Sequence, residues 1–135
     1  MLLENLRTEI ISMGKLLMAD GLVHNGQGNL SVYDRANGYI AITPSAIPYA
    51  EREIEDICVV DLRGDLIEGR WQATSEMALH LVFYQQRSAV TAVVHTHAAF
   101  STAFSIAGQA VLPMLLNESA MALGRPVPVA PYARP

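Results

Sequence analysis

The chain has 135 residues, enough for one domain, and its balance of 51% apolar to 16% charged residues supports a packed core and excludes a disordered chain. A net charge of −4 argues against the basic face of a nucleic-acid binder but leaves room for a small anion at a locally positive site. Cys58 is the single cysteine, which excludes an internal disulfide and fits a reducing cytoplasm.

The opening MLLENLRTEI mixes acids and bases in an amphipathic pattern unlike a signal peptide. Leu3, Leu6, Ile10, Met13 and Leu17 recur at three- and four-residue steps, so 2–19 is predicted helical, stopped by Asp20-Gly21. A polar loop, HNGQGN, follows. LSVYD and YIAIT flank a hairpin turn at Asn37-Gly38, and the two prolines of PSAIPYA enforce irregular chain. DICVVD and DLIEG form a second strand pair around Arg63-Gly64. Thr74 or Ser75 can cap a helix through Met77, Leu81 and Tyr84 to about Arg87. AVTAVVHTH, rich in β-branched residues, reads as a buried strand, and AAFSTAFSIAG as a helix ending at Gly108. His95, Thr96, His97, Ser101 and Thr102 interrupt the longest apolar run, so no membrane span is expected. The last stretch, PVPVAPYARP, is extended. The order gives an α/β sheet covered by helices, its early strands antiparallel. Nothing in the sequence follows the final strand to cover it, so the chain is expected to be a piece of a longer protein or to be covered by a partner subunit.

Two groups of residues could carry chemistry. His95 and His97 stand at i and i+2, which on a strand puts both on one face about 7 Å apart, within reach of one metal ion. Glu76, opening the neighbouring helix, is the natural third ligand, with His80 one turn later a second candidate. The alternative is a pair of core histidines satisfied by backbone groups. Separately, GQGNLS can form a backbone nest for an anion, TPSAI is a hydroxyl-bearing loop, and ATSE puts Thr74 and Ser75 at a helix start. Taken singly these are a turn, a turn and a cap; together they bind a phosphate only if the fold joins them. Trp71, Tyr84 and Cys58 read as packing residues, His24 as solvated, and Glu51, Glu53, Glu55 and Asp56 as a charged surface run.

GLVHNGQGNLSV, ITPSAIPY, ATSEMALH, AVVHTHAAF and PVPVAPY occur in the order and spacing of the class II aldolase/adducin family, which the chain resembles from about Leu6 to its last residue, most closely in the L-fuculose-phosphate aldolases. The resemblance implies a three-layer α/β/α fold with a mostly antiparallel central sheet, residues 1–135 forming one domain that is the N-terminal portion of the family domain. It implies a ring-shaped homotetramer with active sites between subunits, and Zn²⁺ held by one glutamate and three histidines. By position, Glu76, His95 and His97 are the first three of these ligands, and Glu76 is also the acid/base residue. Gly28 with Asn29, Ser45 with Ala46, and Thr74 with Ser75 match the phosphate-binding pairs. The implied reaction cleaves a ketose 1-phosphate to dihydroxyacetone phosphate and an aldehyde.

Three positions depart from the family pattern. The third histidine falls beyond Pro135, Asn117 stands where the fuculose-phosphate aldolases carry a proton-donating tyrosine, and Ala46 replaces a glycine of the second phosphate pair. Relatives on the same scaffold epimerise, dehydrate or decarboxylate sugar phosphates, and adducin-like heads keep the fold without the chemistry. Ser75 before Glu76 leans toward the aldolases, since several epimerase and decarboxylase relatives carry lysine there.

Overall fold

The computed structural model describes residues 1–108 and 111–131. The chain divides into two compact units, Met1–His97 and Ala98–Pro135. The first opens with helix α1 (Glu4–Ala19) and continues through β1 (Asn29–Asp34), β2 (Tyr39–Ile42), β3 (Cys58–Asp61), β4 (Leu66–Glu68), helix α2 (Met77–Gln86) and β5 (Ala92–His95).

Helix α1 ends as its sequence dictates. Gly21 takes a left-handed φ of 69°, and the N–H groups of Gly21 and Leu22 turn back onto the Met18 and Leu17 carbonyls at 3.1 and 2.9 Å. Its buried side is Arg7, Ile10, Gly14 and Leu17, a narrower apolar stripe than predicted, with Met13 exposed. Two contacts explain the shift. Arg7 buries its guanidinium to donate to the Ile57 carbonyl at 2.7 Å and to pair with Glu68 at 2.6 Å. Gly14 is where the Tyr49 ring lies against the helix, and a Cβ there would stand 2.6 Å from the ring.

The five strands run in the order β4-β3-β2-β1-β5 with every neighbouring pair antiparallel. Strand alternation sends Leu30, Ala41 and Ile57 to one face, packed with Ile10, Leu17, Val23 and Tyr49 under α1. It sends Ile40, Ile42, Cys58 and Val60 to the other, packed with Leu81 and Tyr84 of α2. This is the helix–sheet–helix layering expected, built on the predicted antiparallel sheet. Strand β5 differs from expectation. It pairs with β1 at the sheet edge, and Val94 is half exposed, because β-branched composition reports a strand without reporting neighbours on both sides.

The second unit contains α3 (Ala99–Ile106), a short antiparallel pair of β6 (Val111–Leu112) with β7 (Val127–Pro128), and α4 (Asn117–Leu123). Asn117 is the first residue of α4. Of the predicted extended tail, residues 132–135 lie outside the described residues. Among the described residues no helix is long and apolar enough to cross a membrane.

Candidate active site

Three loops meet at one end of the sheet, and backbone hydrogen bonds lace them together. The Tyr49 N–H donates to the Asn25 carbonyl at 2.9 Å and its hydroxyl to the Gly28 carbonyl at 3.1 Å, tying the segment after β2 to the loop before β1. The Ser45 N–H donates to the Gln72 carbonyl and the Thr74 N–H to the Thr43 carbonyl, both at 3.0 Å, tying that segment to the start of α2. Sequence spacing could not show this convergence. Gly28, Asn29, Ser45, Ala46, Thr74 and Ser75, the three predicted pairs, line one cavity of about 250 Å³ together with Glu76 and His97. None of the residues lining it is lysine or arginine, so an anion there would meet N–H groups, hydroxyls and the helix start.

Local conformation shapes each segment. Gly28 has φ 77°, and a Cβ on it would meet the His95 carbonyl and Val23 Cγ1, both at 2.8 Å. Ala46, standing where the resemblance implies glycine, keeps the glycine conformation with φ 62°, at a strain of about 1–2 kcal/mol for a residue with a Cβ. Neither Thr74 nor Ser75 caps α2 as the sequence predicted: Glu76 is the N-cap residue, the Thr74 hydroxyl accepts from the Glu76 N–H at 3.3 Å in the turn just before the helix, and Ser75 is exposed.

Glu76, His95 and His97 form the cluster the sequence predicted. One ligand atom from each lies within 4.8 Å of the other two. His95 faces α2 from the end of β5, in register with Asn29, and His97 lies two residues past the strand, its N–H on the Leu22 carbonyl at 3.2 Å. The two imidazole centroids are 5.0 Å apart. His95 Nδ1 comes within 2.7 Å of Glu76 Oε2, but out of line for a hydrogen bond, so it is a buried ring nitrogen with no hydrogen-bond partner among the described residues. Two imidazoles and a carboxylate around such an orphaned nitrogen are the donor set of a divalent-metal site. Clefts of about 680 Å³ beside Arg35 and 670 Å³ beside Trp71 are larger, but neither holds a His–carboxylate cluster among the described residues.

Several side chains stand elsewhere than expected. His80, a candidate ligand, is buried within the protein and bonded through both ring nitrogens to Asn29 and Ser31, so it has no nitrogen left for a metal. Asp56 is buried rather than part of a surface run, and it accepts from Arg70 and from the Trp71 indole, which is itself exposed. Ser31 and Tyr84 were not legible as part of the site. The available signal was polar spacing, Asn29 and Ser31 two apart on a strand facing His80 and Tyr84 four apart on a helix.

Burial first, and then the neighbouring His95, push the His80 imidazole down to about 4, with Glu76 opposing. The folded protein therefore holds His80 neutral where an unfolded chain would take a proton near 6.5. Its contribution is full above about pH 6.5 and is lost as pH falls through about 4, amounting to about 3 kcal/mol over that window. Urea unfolding at pH 7 and 4.5 is expected to show this loss, and His80→Gln to remove most of it.

A sequence profile of the class II aldolase and adducin N-terminal domain matches residues 8–135. The chain belongs to this family. It is 37% identical over 132 residues to the 5-deoxy-D-ribulose 1-phosphate aldolase of Bacillus thuringiensis serovar kurstaki, covering 98% of this chain and 61% of that protein. It is 36% identical over 109 residues to the L-ribulose-5-phosphate 4-epimerase UlaF of Salmonella paratyphi B, covering 81% of this chain and 48% of that one. A solved L-fuculose 1-phosphate aldolase superposes with a TM-score of 0.90 at 37% identity, over 96% of this chain and 60% of that structure. The chain thus spans about half to three fifths of the length of these relatives. Class II aldolases are metal-dependent, and the Glu76–His95–His97 cluster fits that requirement.

Proposed function

We propose that this chain forms the phosphate-binding and metal-binding part of a zinc-dependent aldolase that cleaves a ketose 1-phosphate to dihydroxyacetone phosphate and an aldehyde. The observation that carries the reading is the single cavity in which the three candidate anion-binding segments sit beside Glu76 and His97. Relatives named as sugar-phosphate aldolases support it. In this reading the protein works in the cytoplasm as a homotetramer, and Glu76, His95 and His97 hold the ion, with zinc favoured by the imidazoles. A divalent cation bound there supplies Lewis-acid stabilisation of negative charge on the adjacent substrate oxygens.

The remaining work falls to the chain itself. Gly28 and Asn29, Ser45 and Ala46, and Thr74 and Ser75 grip the phosphate and so fix where the carbon chain can lie. Carbon–carbon cleavage leaves the dihydroxyacetone phosphate fragment one proton short. The hydroxyl on the carbon that becomes the aldehyde loses its proton as the bond breaks; Glu76 reaches the cavity with Oε2 committed to Asn29, and Oε1 takes up that proton and returns it to the dihydroxyacetone phosphate fragment. The epimerase relative supports a second outcome on the same scaffold. A panel of ketose phosphates, followed by NMR with zinc present, separates the two. Aldehyde and dihydroxyacetone phosphate released together are expected. Isomer formation alone replaces the aldolase reading with an epimerase. No turnover and no stoichiometric metal leaves a non-catalytic, adducin-like module.

A further inference from the structure

The hydrogen bonds behind Glu76 all point one way. A carboxylate oxygen only accepts, so the Asn29 amide nitrogen is the group that faces Glu76 Oε2, at 2.5 Å. The Asn29 amide oxygen then faces His80 Nε2 and, being an acceptor only, requires the proton to be on that ring nitrogen. His80 Nδ1 is left as the acceptor, and the Ser31 hydroxyl donates to it at 2.6 Å. Ser31 Oγ in turn accepts from the Tyr84 hydroxyl at 2.6 Å. The four residues behind Glu76 are at most 3% exposed, so water does not compete for these bonds.

We propose that His80 is a positioning residue for the site. Its Nε2–H holds the Asn29 amide in the one orientation that presents NH₂ to Glu76, and the Tyr84–Ser31 hydroxyl chain holds His80 in the tautomer that can do so. Turning the Asn29 amide over would set oxygen against the Glu76 carboxylate and NH₂ against the His80 N–H, two repulsions in place of two bonds. The bond to Glu76 uses one Nδ2–H and leaves the other for an anion in the cavity that Asn29 lines. Glu76 is thereby held beside His95, at 2.7 Å from its Nδ1, in the place a metal ligand needs. Tyr84 and Ser31, on α2 and β1, act through His80 and touch neither substrate nor metal.

The inference rests on the metal reading for one of its two measurements and stands apart from it for the other. Zinc titration compares the unmodified protein with His80→Gln, which keeps an N–H donor near the place of Nε2, and His80→Leu, which keeps the bulk alone. A fall in zinc affinity of roughly 10–100-fold is expected for His80→Leu and less than about threefold for His80→Gln. A His80→Leu protein binding zinc within threefold of the unmodified one overturns the proposal, and so does a His80→Gln protein that loses as much as His80→Leu. The second measurement needs neither variant nor metal. Nitrogen-15 NMR of the unmodified protein is expected to show the His80 ring protonated at Nε2 and a slowly exchanging Asn29 side-chain amide. A ring protonated at Nδ1 overturns the proposal even if His80→Leu fails to fold. Failure of the unmodified protein to bind zinc removes the metal reading, and the ring and amide signals still decide the role of His80.

Discussion

If the protein is the aldolase proposed above, replacing Glu76 with glutamine is expected to lower turnover of the ketose phosphate by roughly 10³-fold while leaving its KM within about threefold. The substitution keeps the side-chain volume, so folding is spared, and it leaves the three segments proposed to bind phosphate unaltered. In that reading it removes two things at once: a carboxylate ligand from the Glu76–His95–His97 cluster, and the group proposed to move the proton. Loss of a positioned acid–base group alone accounts for about 10²–10⁴-fold. The two contributions separate on adding zinc. Saturating metal restores the part of the loss that comes from weak binding and none of the part that comes from the missing proton carrier. The glutamine amide can still offer its oxygen to Asn29 Nδ2, so the hydrogen bond at 2.5 Å survives in form. Steady-state kinetics at two zinc concentrations check the result. Wild-type turnover in Glu76→Gln would exclude Glu76 from the chemistry.

The sheet was legible because its information is local. Alternation in LSVYD and YIAIT, a glycine at each predicted turn, and a β-branched run before His95 specify strands and hairpins without knowledge of distant partners, and the observed registers follow them. The helix faces were less legible. Arg7 and Gly14 take buried places on α1 for reasons set by Ile57, Glu68 and Tyr49, all at least thirty-five residues away. The same division runs through the site. His95, His97 and Glu76 could be picked out by residue type and spacing, and the phosphate pairs by their glycines and hydroxyls. What spacing could not carry was the meeting of those three pairs with Glu76 and His97 in one cavity, nor the place of His80 behind it. As an imidazole one helical turn from a ligand, His80 reads as another ligand. Only the tertiary contact with Asn29 and Ser31 shows both of its nitrogens already engaged.

Gly28 joins these two levels, and Gly28→Ala is expected to be the most damaging single-methyl change in the site. Its φ of 77° costs a residue with a Cβ about 1–2 kcal/mol. The added methyl also meets the His95 carbonyl and Val23 Cγ1, each at 2.8 Å. Val23 is fully buried, and the His95 carbonyl belongs to the strand register that sets His95 opposite Asn29, so neither neighbour yields without moving the site. Overpacking of this kind costs about 1–3 kcal/mol. Reduced freedom in the unfolded chain returns only about 0.4–1 kcal/mol. The net loss is about 1–5 kcal/mol, read as a lower urea midpoint with an unchanged slope. Gly38→Ala provides the control. Gly38 has nearly the same φ, 76°, and no atom of the described residues within 4 Å of its would-be Cβ, so it carries the conformational cost without the collision. The difference between the two variants isolates the contact with the His95 carbonyl and Val23. Equal losses in both would show that the turn matters only for its backbone angle. A larger loss in Gly28→Ala, accompanied by weaker binding of both phosphate and metal, would show that one glycine sets the distance between the two halves of the site.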